Sequence, residues 1–100
     1  MKSSKRLKLP KKVVIGDSEW LIVRNRKTLT LYNKPLDGMT DPSEQKIYVH
    51  ANLTFFEALK VFVHELFHTF EDEYDMEIPH DLIHQMEEPI ANLLVDNFWD

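Results

Sequence analysis

The stretch from Thr54 to Asp72 constrains the chain most, because it has to be a helix with two different neighbours. Thr54 and Glu57 have the spacing of a capping box, in which each side chain satisfies a backbone N–H at the start of a helix. From there Phe55, Leu59, Phe62, Leu66 and Phe70 recur at helical spacing, widened by Phe56, Val63 and Phe67, so one broad apolar stripe must be covered. A second face carries Glu57, Val61, His64, His68 and Asp72, which is free to look toward something other than the core.

What covers the stripe is read from the preceding residues. Val13-Val14-Ile15 and Glu19 to Arg24 are β-prone runs separated by Gly16-Asp17-Ser18, which predicts a hairpin. Thr28 to Tyr32 has the period of a further strand, and Lys46-Ile47-Tyr48-Val49-His50 alternates so that Ile47 and Val49 face inward. Between them, Asn33 to Glu44 holds Pro35, Asp37-Gly38 and Asp41-Pro42 and reads as a long loop. After an acidic connection, Asp81 to Phe98 reads as a last helix, facing the His64 side of the first. The expected fold class is α+β, a small domain of three to four short strands, a long helix and a C-terminal helix.

Composition narrows the chemistry. There is no cysteine, so a disulfide frame and a thiolate metal site are both excluded, and any ion must be held by His, Asp or Glu. Residues 1–12 carry six of the twelve basic side chains and read as a basic arm; 13–100 read as one domain with six basic against seventeen acidic residues. Such a body repels phosphate backbones, so no nucleic-acid partner is expected beyond a weak contact by the arm. The basic start is followed by no long apolar run, which argues against a signal peptide or a membrane span and for a cytoplasmic protein.

Inside the long helix, His64-Glu65-Leu66-Phe67-His68 is an HExxH pattern, which a chain of this composition shows by chance in about 2 % of cases. Residues four apart on a helix lie one above the other, so both imidazoles can reach one ion, while Glu65 sits beside it as a base for an activated water. A catalytic zinc wants a third protein ligand and one open position. The H-E-x-x-H-x-x-G-x-x-H arrangement is excluded, since this chain has Glu71 and Tyr74 where it needs Gly and His. His80, His84, Glu87 and Glu88 remain, with Glu88 preferred because Asn92, four residues on, shares its face and can bond a ligating imidazole. Pro89 directly after it predicts a kink or a helix starting there.

HELFH followed by Glu88-Pro-Ile-Ala-Asn92 resembles the gluzincin pattern of thermolysin-type peptidases and of the ImmA/IrrE metallopeptidases. Over roughly residues 13–98 the chain is similar to the small metallopeptidase-like proteins of phages and prophages. The resemblance implies a minimal zincin: Zn2+ on His64, His68 and Glu88, Glu65 as general base, a peptide or protein substrate, and the Lys46–His50 strand as an edge for it. It implies an oxyanion-stabilising side chain as well, for which Tyr74 and His84 are the candidates. The alternative is a zinc-binding interaction module on the same frame, without turnover.

Overall fold

The computed structural model describes residues 7–26, 29–31 and 34–99. Six strands precede two helices: β1 (Lys12–Ile15), β2 (Ser18–Asn25), β3 (Leu29–Leu31), β4 (Lys34–Leu36), β5 (Gly38–Asp41), β6 (Lys46–His50), α1 (Phe55–Glu73) and α2 (His80–Phe98). The main sheet has four strands in the order β1-β2-β6-β5, and β3 pairs with β4 in a separate two-stranded ribbon. Within the main sheet β1/β2 and β5/β6 are antiparallel, whereas β2 and β6 run parallel, so the sheet is mixed. The expected α+β class holds, with four strands in the sheet and two helices.

Local chemistry explains most of these elements. The β1–β2 turn closes through Gly16 at φ +60°, a conformation that glycine adopts without steric penalty. β6 buries Ile47 and Val49 as their alternation requires. The capping box at Thr54 forms from both sides: Glu57 N donates to Thr54 Oγ1 at 3.3 Å, and Thr54 N donates to Glu57 Oε1 at 3.0 Å. Ala58, Leu59 and Phe62 of α1 then pack with Trp20, Ile47 and Val49 of the sheet in one core. Trp20 is fully buried, and its indole N–H finds an acceptor in Glu73 Oε1 at 3.1 Å, tying the end of α1 to β2.

Three expectations change. Lys46–His50 is not an edge: β6 lies between β2 and β5, and the edge beside α1 is β5, in the stretch that reads as a loop. Turn-forming residues mislead there because Gly38 serves a packing need. A Cβ on it would stand 2.4 Å from Val61 Cγ1 and 3.0 Å from Tyr48 O, so only glycine lets β5 lie flush against α1. Second, no helix starts at Pro89: α2 runs continuously from His80 to Phe98 through it. Pro89 and Gln85, whose carbonyl loses its helical donor, are both exposed, so water can satisfy that group. Third, the fold takes in residues assigned to the basic arm: Leu9 is buried, Lys8 O accepts from Trp99 Nε1 at 2.8 Å, and Lys12 opens β1. Residues 1–6, and Thr28 and Tyr32 of the predicted third strand, lie outside the described residues.

Candidate metal centre

The HExxH residues lie in the middle of α1, between the β5 edge of the sheet and α2. His64 is half-buried, Glu65 is buried at 7 % exposure, and His68 is half-buried. The two imidazoles meet with Nε2 atoms 3.0 Å apart, as helical spacing requires. From α2, His80 brings its Nε2 to within 3.3 Å of His64 Nε2. Two nitrogens held tetrahedrally by one zinc ion lie about 3.3 Å apart, given Zn–N bonds of about 2.0–2.1 Å. Each pair, His64 with His68 and His64 with His80, is therefore spaced as two ligands of one ion, but His68 and His80 do not fall into one ligand group.

Carboxylates on the far side of each ring strengthen this fit. Glu87 Oε1 contacts His64 Nδ1, and Glu71 Oε1 lies 2.7 Å from His68 Nδ1. A carboxylate accepts only, so each Nδ1 is the donor, and in the neutral ring Nε2 is left with a lone pair. Two lone pairs facing each other across 3.0 Å repel unless a cation or a shared proton lies between them. The same carboxylate–histidine arrangement orients metal ligands generally. Glu71 is itself fixed, since its Oε2 accepts from Ile78 N at 2.9 Å. That backbone N–H, and behind it His68, holds the Glu71 carboxyl below its ordinary range against the opposing effect of burial.

Among the described residues, two groups have ligand atoms that all lie within 4.8 Å of one another: His64, Glu65 and His68, and His64, His80 and His84. His64 belongs to both. A cluster of three histidines from two helices can hold a metal ion. Glu65 is placed by the sheet edge: Thr40 Oγ1 of β5 lies 2.8 Å from Glu65 Oε1, while Glu65 Oε2 stands 4.0 Å from His64 Nε2. Beside these residues opens a cavity of about 410 Å³, with Leu36, Leu53 and Val61 as apolar wall and Glu57, Lys60, His84 and Glu87 as polar lining.

The structure brings His64, Glu65 and His68 together as their spacing predicts, and adds His80, His84 and Glu87. It does not bring Glu88: that side chain is 65 % exposed, with Oε1 3.6 Å from Lys60 Nζ. One residue earlier on the helix makes the difference, because Glu87 points between the helices where Glu88 points outward. Of the two oxyanion candidates, His84 lines the cavity, while Tyr74 is exposed at the end of α1 with its ring against Phe70. Two contributors escape sequence reasoning. Glu71 had a signal in its i+3 spacing from His68; Thr40 had none, since only strand pairing puts it beside Glu65.

The chain matches no protein-family model, and neither a curated protein nor a solved structure proved similar to it. Among the described residues no helix is long and apolar enough to cross a membrane.

Proposed function

We propose that the protein is a zinc-dependent peptidase of minimal size. The observation that carries this reading is the convergence of His64 and His68 Nε2 at 3.0 Å with a buried Glu65 beside them. His64 and His68 would hold the ion, and α2 would give the third ligand. His80 would take that role in place of Glu88, its Nε2 facing His64 Nε2 while Glu88 faces Lys60, and binding would have to draw His68 and His80 together, since they belong to separate ligand groups. A zinc ion bound there supplies Lewis acidity, lowering the pKa of water and polarising a carbonyl.

The rest falls to the chain's own side chains. Glu65 is the general base: Thr40 fixes one of its oxygens, and the other is directed toward the histidines, where it takes a proton from the attacking water and later returns it to the departing amine. Glu71 and Glu87 hold the two imidazoles in the protonation state that presents Nε2. The cavity's apolar wall receives a peptide or protein substrate and excludes water from one side.

The test is Glu65→Gln. It should keep the zinc content of the wild type and lose hydrolysis of a peptide library by about 10³-fold or more, as removal of a proton-transferring group does. Zinc-loaded wild type that cleaves nothing in such a library would favour the second reading, a zinc-fastened interaction module. That reading draws on His80 and His84 of α2, which with His64 form an all-nitrogen ligand group of their own.

A further inference from the structure

His80 and His84 stand a turn apart at the start of α2, and both side chains are exposed. Water can solvate an exposed imidazole in any direction, so burial does not explain why these two turn toward the half-buried His64 of α1. The three rings nevertheless form a nearly even triangle, with centroids 4.9 Å apart for His64 and His80, 5.1 Å for His64 and His84, and 4.6 Å for His80 and His84. Their ligand atoms all lie within 4.8 Å of one another. His68 stays outside this group: its ring stacks on that of His80 with 23° between the planes, and the in-plane lone pairs of stacked rings run side by side instead of converging.

We propose that His64, His80 and His84 form a metal site in their own right, a nitrogen-only position for a divalent ion such as Ni2+, Cu2+ or Zn2+, which shares His64 with the HExxH position and is therefore filled in alternation with it.

A second observation points to an ion at this place. Glu87 Oε1 contacts His64 Nδ1 and lies 3.2 Å from His84 Nδ1, so one carboxylate stands behind two of the three rings. A carboxylate in that position fixes the orientation of the ring and leaves Nε2 of the neutral imidazole with its lone pair, as it does behind metal-bound histidines generally. His64 Nε2 and His80 Nε2 are 3.3 Å apart, the spacing of two nitrogens on one zinc. Three histidine nitrogens and one open position are a set that zinc accepts. With imidazole alone the set also suits Cu2+ and Ni2+, and it does not suit Mg2+ or Ca2+, which take oxygen ligands. His64 and His84 both line the cavity, so the open position faces it. Alternation follows from His64: its Nδ1 is engaged by Glu87, and the one lone pair on Nε2 binds one ion at a time.

The site goes beyond the peptidase reading, and its test needs no hydrolysis, so either can fail without the other. The full chain and its variants are titrated with Ni2+, the bound imidazoles are counted by X-ray absorption, and the metal-free Tm of each variant is recorded alongside to show that it folds. Wild type should take up one ion per chain. His68→Ala, which destroys the HExxH pair, should still bind Ni2+ on three imidazoles. Adding His84→Ala to that variant should lower the count to two and weaken binding by about tenfold or more in chelator competition, since even a carboxylate behind a ligand is worth that much. His80→Ala in the same background should do the same, so the outcome does not hang on one variant. Two ions on wild type would overturn the proposal. So would the loss of Ni2+ binding in a folded His68→Ala, or three imidazoles retained after His84 is removed from it.

Discussion

The two helices that face each other across the candidate centre are built to opposite standards. Each is 19 residues long. α1 is capped by a reciprocal box, buries Ala58, Leu59, Phe62, Val63, Glu65 and Thr69, and is tied to β2 through Trp20 and Glu73. α2 begins without a side-chain cap, contains Pro89, and buries Ile83 and Ala91 alone, leaving Leu82, Met86, Leu93 and Phe98 exposed. The firmly packed helix carries His64, Glu65 and His68, and the loosely held one carries His80 and His84.

The largest effect should come from removing the residue both halves share. Zinc at about a thousand times its Kd stabilises a protein that binds it in the folded state alone by about 4 kcal/mol, so the wild-type Tm should rise on zinc addition and fall back with chelator. His64→Ala should abolish that shift, because His64 belongs to both ligand groups. A variant that kept the full zinc-induced rise would show that the ion is held elsewhere, and the division of labour between the helices would fail.

The contrast in burial gives the next test. Leu59 is fully buried in the core, whereas Leu93 on α2 is 57 % exposed. Leu59→Ala should cost about 2–5 kcal/mol in urea unfolding. Leu93→Ala should stay within about 0.5 kcal/mol. A comparable loss at Leu93 would mean that α2 is covered in solution and belongs with the rigid half. Thr40→Val probes the join between β5 and α1. It removes the hydroxyl 2.8 Å from the buried Glu65 and should cost about 1–3 kcal/mol, with kcat lowered more than KM and zinc content unchanged.

How far each half was legible follows from the same contrast. α1 announced its start at Thr54, its histidine face and part of its core stripe by local spacing: Leu59, Phe62 and Val63 are buried as expected, whereas Phe55, Phe56, Leu66, Phe67 and Phe70 are half-buried and Ala58, Glu65 and Thr69 take buried places outside that stripe. The β1–β2 turn at Gly16 and the inward face of β6 were legible for the same reason. Gly38 was not: its residue type argues for a turn, and the close approach of Val61 that makes it a strand residue is a tertiary fact. On α2, Glu87 and Glu88 are neighbours with identical side chains, and which of them turns inward depends on the helix's rotation against α1, fixed by Ile83 and Ala91. Prolines mislead similarly: Pro89 removes one helical hydrogen bond, yet α2 continues through it, with Gln85, whose carbonyl is freed, exposed to water.

Smaller effects concern the caps. Thr54→Ala should lower stability by about 1 kcal/mol, because it removes the acceptor for Glu57 N, and the loss should appear as earlier hydrogen exchange in the first turn of α1. A first turn of α1 that exchanged as readily as that of α2 in the wild type would erase the contrast at this end of the helices.

The smallest effect is the charge of Glu57 itself. The Thr54 backbone N–H, and then its hydroxyl, hold the Glu57 carboxyl below its usual 4.5. A carboxyl whose folded value lies below its unfolded one stabilises the fold when ionised, so that contribution is complete above 4.5 and disappears as the pH falls through the lower, folded value. Glu57→Gln keeps a hydrogen-bond acceptor at this position but cannot titrate. Wild type should therefore lose Tm more steeply than Glu57→Gln as the pH falls below 4.5, with both proteins sharing the acid sensitivity of the remaining carboxylates. Because Glu57 is exposed, the difference should be slight and should shrink in high salt. Parallel curves would show that the capping box holds by its hydrogen bonds alone, and that charge contributes nothing to the firmness of α1.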